Sequence, residues 1–309
     1  MNKLLWKNSS YKIFLILKPI IFFPANFFTL LIKMYLSILS LFLSDKRVSV
    51  WRNNLINSAN TINRQVFISR KDVEVTLNFY TPNTVSEHRV DLYTSKEPEI
   101  LDWMDSYQGD GDLFDIGANI GLYSVYFGKT KTGRVFSFEP SIFNLELLGK
   151  NISLNKLDDK VLIIPNPLSN FNNHAMFNLS SMEAGGASNA FGVDYGDDGN
   201  KHDTVMSYQT LGLSLNFLFQ NKLLDNIPAL IKIDVDGIEH LVLEGATEIL
   251  AHKKCRSIFI EINNNFHHQS DRSNKILIDS GFKLKGIYNK GIKLESSKGF
   301  ANANQIWEK

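Results

Sequence analysis

The chain has 309 residues, 44% hydrophobic, 21% charged and 12% aromatic, and 33 Lys and Arg against 32 Asp and Glu leave a formal charge of +1. That balance excludes a disordered or low-complexity chain, which needs low hydrophobicity and high net charge, and the length suffices for one large domain or two ordinary ones. A single cysteine, Cys255, excludes a disulfide framework and leaves too few thiolates for a structural zinc site, so a cytoplasmic or cytosol-facing protein is expected.

The near-neutral total hides an uneven distribution. Residues 1–50 carry seven basic side chains (Lys3, Lys7, Lys12, Lys18, Lys33, Lys46 and Arg47) and one acid, Asp45, a surplus of +6; the remainder is −5. An acidic body offers no basic face for nucleic acid, so no nucleic-acid partner is expected. The basic end is also strongly apolar over residues 13–17 and 20–43. It fits a secretory signal poorly, being too long, broken by Lys18-Pro19 and without a small-residue cleavage site. From Asn26 the polar residues Asn26, Thr29, Lys33, Ser37, Ser40 and Ser44 recur at steps of three and four, a narrow polar stripe at helical period. Residues 1–50 therefore read as a hydrophobic, basic helical segment suited to lying on a membrane surface, on its cytoplasmic face. A true span and a helical cap or dimer surface are the competing readings.

Residues 51–89 are mixed and polar, with alternation over residues 73–80 and a Pro82-Asn83 turn, and read as a β lead-in. From residue 90 to the carboxyl end the pattern is that of one α/β domain. Strands are predicted over 113–115, 134–139, 161–165, 229–234 and 257–262, alternating with helices from 121, over 142–154 and over 239–250. That rhythm implies a parallel, doubly wound sheet covered on both faces. Residues 180–203 are rich in Gly, Asn, Asp and Ser, lack periodicity, and are expected to be a functional lid or a disordered insert. Their acids miss the calcium-loop spacing.

The strongest chemical signal is DLFDIGANIGLYS, residues 112–124. A strand ends at Asp115, the chain turns through Gly117, Ala118, Asn119 and Ile120, and a helix opens at Gly121. Glycines there let a ligand approach the backbone at the carboxyl edge of the sheet. GxGxxG is absent, and Asp115 would repel a diphosphate while suiting an ammonium group. Eighteen residues past Gly121, Glu139 ends the next strand, where an acid accepts both hydroxyls of a ribose. Ribose at Glu139 and an amino-acid moiety at the glycine turn describe S-adenosylmethionine.

With DIGANIGLYS, FSFEPSIFNLELLGKNISLN (136–155), IKIDVDGIEHLVLEGA (231–246) and IFIEIN (258–263) in this order, the chain resembles the FkbM-type methyltransferases. KEPEILDW (96–103) matches the same style, and the resemblance covers roughly residues 90–263. It implies a class I methyltransferase domain, a Rossmann-like doubly wound sheet, here with an N-terminal helical extension. It also implies S-adenosylmethionine-dependent O-methylation of a hydroxyl on a sugar or natural product. By position it gives Asp115, Gly117, Asn119 and Gly121 to the methionine side and Glu139 to the ribose. Pro140 and Asn144 shape the following turn and helix, and Leu168 and Ser169 lie where adenine is contacted. The chain departs from the family at Asp236, where Glu is usual, and at Asn263, where His is common.

Methyl transfer asks mainly for positioning of the acceptor, yet a sugar hydroxyl benefits from a base as its proton leaves. Asp234, at a strand end facing the cleft, is the first candidate, with Asp236 beside it and Glu239 and Glu261 as possible helpers. Asp236 and Glu239 also have the spacing of a helix capping box. A divalent metal held by these acids is a secondary, disfavoured reading, and no metal ligand is assigned. His240 is a distant candidate base, Lys232 can orient an acid from a buried strand, and His267 and His268 read as solvated. A small-molecule or glycan acceptor, such as a lipid-linked sugar or surface polysaccharide, fits the whole. Two other readings stay open: a catalytically silent adaptor docking through residues 1–50, and a nucleotide-sugar or NAD enzyme on the same fold.

Overall fold

The computed structural model describes residues 27–41, 44–70, 73–296 and 302–309, and the chain divides into two units, residues 1–61 and 62–309. In the first unit, residues 27–41 form helix α1 and Asp45–Asn60 form α2. The apolar side chains of α1 are exposed, among them Phe28 at 62% and Leu41 at 78%. Its Ser37 and Ser40 hydroxyls donate to the carbonyls of Lys33 and Ser37, at 2.9 and 2.6 Å. The sequence expectations for residues 1–26, with four of the seven basic side chains, lie outside the described residues. No described helix is long and apolar enough to cross a membrane. Residues 51–60, expected to begin a β lead-in, continue α2 instead; the β-structure starts at Asn63.

The second unit opens with an antiparallel pair, β1 (Asn63–Arg70) and β2 (Val73–Tyr80), separate from the main sheet. Two short helices follow. In α3 (Thr84–Asp91) the Asn83 side chain accepts from the Ser86 amide at 2.8 Å as part of a capping box. Pro98 at the first turn suits the start of α4 (Pro98–Ser106), where no amide is needed.

The main sheet is then laid down by β3 (Leu113–Ile116), β4 (Val135–Phe138), β5 (Val161–Ile164), β9 (Leu230–Ile233), β10 (Ser257–Asn263), β11 (Lys283–Asn289), β12 (Ile292–Leu294) and β13 (Asn302–Glu308), ordered β12-β11-β13-β10-β9-β3-β4-β5. From β5 to β10 the neighbours run parallel, and β13 then pairs antiparallel with both β10 and β11. Every residue of β3, β4 and β9 is buried, as a parallel sheet covered on both faces requires. Alternate residues serve opposite faces: Leu113, Val135 and Leu230 join one core, Phe114, Phe136 and Ile231 the other. The first core is roofed by α5 (Leu122–Thr130) and α6 (Ile142–Leu154), and α6 ties down β2 through Asn155 and Asn151, which accept the amides of Asn78 and Tyr80 at 3.0 and 2.8 Å.

Two local features depart from the sequence expectation. The predicted helix over 239–250 is two, α8 (Glu239–Glu244) and α9 (Thr247–Ala251), broken where Gly245 lies so close to the Ser169 carbonyl that a Cβ would collide with it. Of the segment expected as a functional lid or a disordered insert, residues 180–203, only β7 (Ala190–Phe191) is a named strand; it pairs with β6 (Asn173–Leu179) in a three-stranded sheet, β7-β6-β8, completed by β8 (Met206–Gly212), so the segment is ordered and not a disordered insert. Chain order places this insertion between β5 and β9. Because β3 pairs with β4 on one side and β9 on the other, the connections diverge at β3, the switch point where open α/β sheets leave a crevice.

Candidate active site

The crevice at the carboxyl ends of β3, β4 and β9 contains two adjoining cavities of about 160 and 460 Å³. Arg89, Lys96, Gly117, Asn119 and Asp234 line both and form their common wall. The glycine turn lies on this wall because its backbone must pass close to β9. Gly117 has φ of +80°, and any Cβ there would strike the Asp234 carbonyl. Asn119, at φ of +51°, is the non-glycine residue type that best tolerates this region. Gly121, at φ of +87°, caps α5 without lining either cavity.

The smaller cavity has the character of an adenosine site. Glu139, at the end of β4, lines it with Phe138, Pro140, Leu168 and Ile238. The Glu139 carboxylate accepts the Asn119 and Ser141 amides, each at 2.8 Å, so the second strand end and the glycine turn are locked together. Burial pushes its carboxyl up to about 7, against the downward pull of those two amides. Leu168 contributes an apolar wall, whereas Ser169 is fully buried with its amide on the Leu213 carbonyl and does not reach the cavity; Asn166 and Pro167 line it instead.

Asp115 is placed one layer behind the wall. It is fully buried and lines neither cavity, and its cation is Lys232, 3.1 Å away, with the Ser124 hydroxyl donating to its second oxygen at 2.6 Å. Lys232 also donates to the Gly117 carbonyl at 3.1 Å and stands 3.7 Å from Asp234. Burial lowers the lysine pKa, but Asp115 and Asp234 outweigh it and hold the ammonium charged. The register of β3 on β9, with Asp115 opposite Lys232, makes this pair possible.

The acids after β9 separate into distinct roles. Asp234 is part-exposed and opens onto both cavities. Asp236, at φ of +56°, accepts the Ser188 and Asn189 amides at 2.7 and 3.3 Å; burial and then Asp234 hold its carboxyl above the ordinary range. Glu239 turns inward, accepting the Val235 and Gly237 amides and the Gln269 side chain, with burial raising it to about 7. The capping-box expectation is thus half met. Glu239 does reach back to the loop, whereas Asp236 bonds the β6–β7 connection. Glu261, on β10, lines the smaller cavity with its carboxyl raised well above the usual range by burial, Asp234 and Glu97.

Residues 184–189 form a strap over the smaller cavity, tied by the site's own side chains. Asn119 and Asn144 both donate to the Gly186 carbonyl, at 2.7 and 3.1 Å, and Asn144 accepts the Gly185 amide at 2.8 Å. Asn83 donates to Ala184 and Arg89 to Gly185. His240, by contrast, is fully buried outside both cavities with both ring nitrogens unpartnered and its pKa lowered to about 4 by burial, so it does not serve as the base. Among the described residues, no three His, Cys, Asp or Glu side chains are grouped to hold a metal ion. Lys96 and Tyr123 fall within the quoted motifs KEPEILDW and DLFDIGANIGLYS without being singled out, and Arg89 lies in no motif; their place on the folded wall reveals all three.

The profile of the methyltransferase FkbM domain matches residues 115–284, more than half of the chain. The chain belongs to this family. Its family is that of the S-adenosylmethionine-dependent FkbM methyltransferases, and the apolar walls, the Glu139 acid and the glycine turn suit that cofactor's base, ribose and methionine ends. Among solved structures, methyltransferase FkbM from Methylobacillus flagellatus KT is similar at 16% identity and a TM-score of 0.41, over 66% of this chain and 45% of that one. The match thus spans less than half the length of that protein. Precorrin-6y C5,15-methyltransferase from Geobacter metallireducens GS-15 matches at 13% identity and 0.39, over 69% and 86% of the two chains. Streptococcus pneumoniae Sp1610 in complex with S-adenosyl-L-methionine matches at 13% and 0.40, over 68% and 72%. No curated protein matches the FkbM chain in sequence.

Proposed function

We propose that this FkbM protein methylates a hydroxyl oxygen of a sugar carried on a glycan, glycolipid or surface polysaccharide. The observation that carries the reading is Asp234, a part-exposed carboxylate on the wall shared by the cavity that Glu139 lines and its larger neighbour. When bound, S-adenosylmethionine supplies a methyl group on a sulfonium that leaves as a neutral thioether. Glu139 takes the ribose hydroxyls, the turn at Gly117 and Asn119 takes the methionine end, and the acceptor enters through the larger cavity. Asp234 then orients the acceptor hydroxyl and accepts its proton as the ether forms. Lys232, 3.7 Å from Asp234 and bonded to the Gly117 carbonyl, holds the carboxylate toward the glycine turn. Asp236 serves the strap in this reading, and holds cofactor and acceptor in place without touching the proton.

A membrane-surface location for the acceptor is supported by α1, whose apolar side chains are exposed and whose serine hydroxyls are satisfied inside the helix. Such a helix has little need of water, and the surplus of +6 in residues 1–50 suits anionic headgroups.

Two measurements test the function. S-adenosylhomocysteine at about 100 times its dissociation constant should add roughly 2.7 kcal/mol of stability, while NAD and a UDP-sugar add none. Methyl-labelled cofactor should place alkali-stable label, the mark of an ether, on neutral or acidic oligosaccharides, and Asp234→Asn should abolish it. No stabilisation by S-adenosylhomocysteine, or label found only in base-labile esters, refutes the proposal.

A further inference from the structure

The larger cavity carries an unbalanced charge. On its α3 and α4 side stand His88, Arg89 and Lys96. Lys96 is already paired with Glu97 at 3.4 Å, and Lys232 across the cavity with Asp115. The Arg89 guanidinium has its Nε on the Gly185 carbonyl and, among the described residues, no carboxylate partner. A guanidinium left beside a cavity with no carboxylate partner is built to meet one from outside, since its planar fork matches a carboxylate or phosphate in two parallel hydrogen bonds. The remaining walls are those of a sugar site: Tyr123, whose hydroxyl donates to Glu97 at 3.2 Å, offers an aromatic face, and Asp234 offers a hydroxyl acceptor.

Resting on the function proposed above, we propose that the acceptor is an anionic sugar, with its carboxylate or phosphate on Arg89 and its reacting hydroxyl on Asp234. The cofactor's own carboxylate is the competing occupant of Arg89. The opening turn of α5, at Leu122 and Tyr123, lines the same cavity next to the glycine turn, and the first amides of a helix suit that carboxylate. Arg89 comes from α3 rather than from that turn, and its terminal nitrogens, beyond the Nε held by Gly185, are left for the acceptor. Within the larger cavity Asp234 follows β9 and Arg89 stands on α3, so a ligand with a hydroxyl at one end and an anion at the other complements both.

The test uses the full chain saturated with S-adenosylhomocysteine and measures binding of three probes by calorimetry at low salt: a uronate-containing tetrasaccharide, its carboxyl-reduced counterpart and a phosphorylated tetrasaccharide. The uronate or the phosphorylated sugar should bind at least about tenfold tighter than the neutral one, and which of the two wins identifies the anion. In Arg89→Gln that preference should vanish. In Arg89→Lys, which keeps the charge and loses the fork, it should survive in part. Because each protein is held saturated with S-adenosylhomocysteine, the comparison reads the acceptor's preference and not the cofactor's affinity. Equal binding of acidic and neutral probes to the wild type, a preference that persists undiminished in Arg89→Gln, or binding of none of the probes to a chain that does bind S-adenosylhomocysteine overturns the proposal. Failure of the wild type to bind S-adenosylhomocysteine instead overturns the methyltransferase reading beneath it.

Discussion

Replacing Glu139 by Gln should separate stability from binding. The carboxyl rises from 4.5 to about 7 on burial, so at about 1.4 kcal/mol per tenfold change the ionised form is disfavoured by roughly 3 kcal/mol at pH 8. Between pH 4.5 and about 7 the folded chain keeps a proton that the unfolded chain has released. The contribution of this group to stability is therefore fully present below about pH 4.5 and is lost as pH rises through about 7. Glutamine removes that loss but meets the Asn119 and Ser141 amides with one oxygen and one NH₂, leaving a buried donor unpaired at about 1–3 kcal/mol. The two effects nearly cancel, and the variant should unfold within about 2 kcal/mol of the wild type at pH 8, with a flatter profile between pH 5 and 8. Binding has no such compensation. Ribose hydroxyls donating to a carboxylate are charge-assisted, worth about 1.5–3 kcal/mol, so S-adenosylhomocysteine should bind about 10- to 150-fold more weakly at pH 8. Wild-type affinity should also tighten as pH rises through 7, because the ligand needs the ionised acid. Urea unfolding and calorimetry at pH 6, 7 and 8 read both quantities. An affinity within twofold of wild type at pH 8, or a wild-type affinity that is flat across this range, refutes the assignment.

Lys232→Met should cost about 3–5 kcal/mol in urea unfolding, since it leaves the fully buried Asp115 without its cation. Adding Asp115→Asn should restore most of that, and a single-variant loss below about 1 kcal/mol would show that the pair is not what holds the glycine turn. Asp236→Asn keeps a residue type tolerant of φ +56° but trades a charged acceptor for a neutral one under the Ser188 and Asn189 amides. Limited proteolysis within residues 184–189 should then run about fivefold faster, as expected for roughly 1 kcal/mol of lost restraint; an unchanged cleavage rate would detach Asp236 from the strap. His240 is depressed from 6.5 to about 4, so its contribution to stability is present above about pH 6.5 and is lost as pH falls through about 4. His240→Phe should flatten that acid limb in thermal melts, and an unaltered limb would place the acid sensitivity elsewhere.

What the sequence disclosed and what it hid follow from how local each signal is. The glycine turn, the acid at the end of β4 and the acids after β9 were legible because each is fixed by its own strand end, and strand ends converge at the carboxyl edge whatever the loops do. The partner of Asp115 was a matter of register: it sits opposite Lys232 only because β3 and β9 pair with Leu113 against Leu230. Pattern alone set a cofactor ammonium against that carboxylate, where the fold supplies an internal lysine. The same limit explains Glu239, whose spacing suggested a cap and whose actual partners include Gln269 on α10 (His267–Asp279), thirty positions away.

The Gly-rich segment shows the limit most clearly. Residues 184–189 have no periodicity because their order comes from other parts of the chain: Asn83, Arg89, Asn119, Asn144 and Asp236 satisfy the strap's backbone carbonyls and amides. A segment whose backbone is satisfied in large part by the site's own side chains takes much of its order from that site. Whatever displaces Asn119 and Asn144 together also frees the Gly186 carbonyl. The strap's order is thus coupled to the geometry of the site, and the aperiodic sequence is what allows it: a strap with its own helix or strand hydrogen bonds would stay folded when the site let it go.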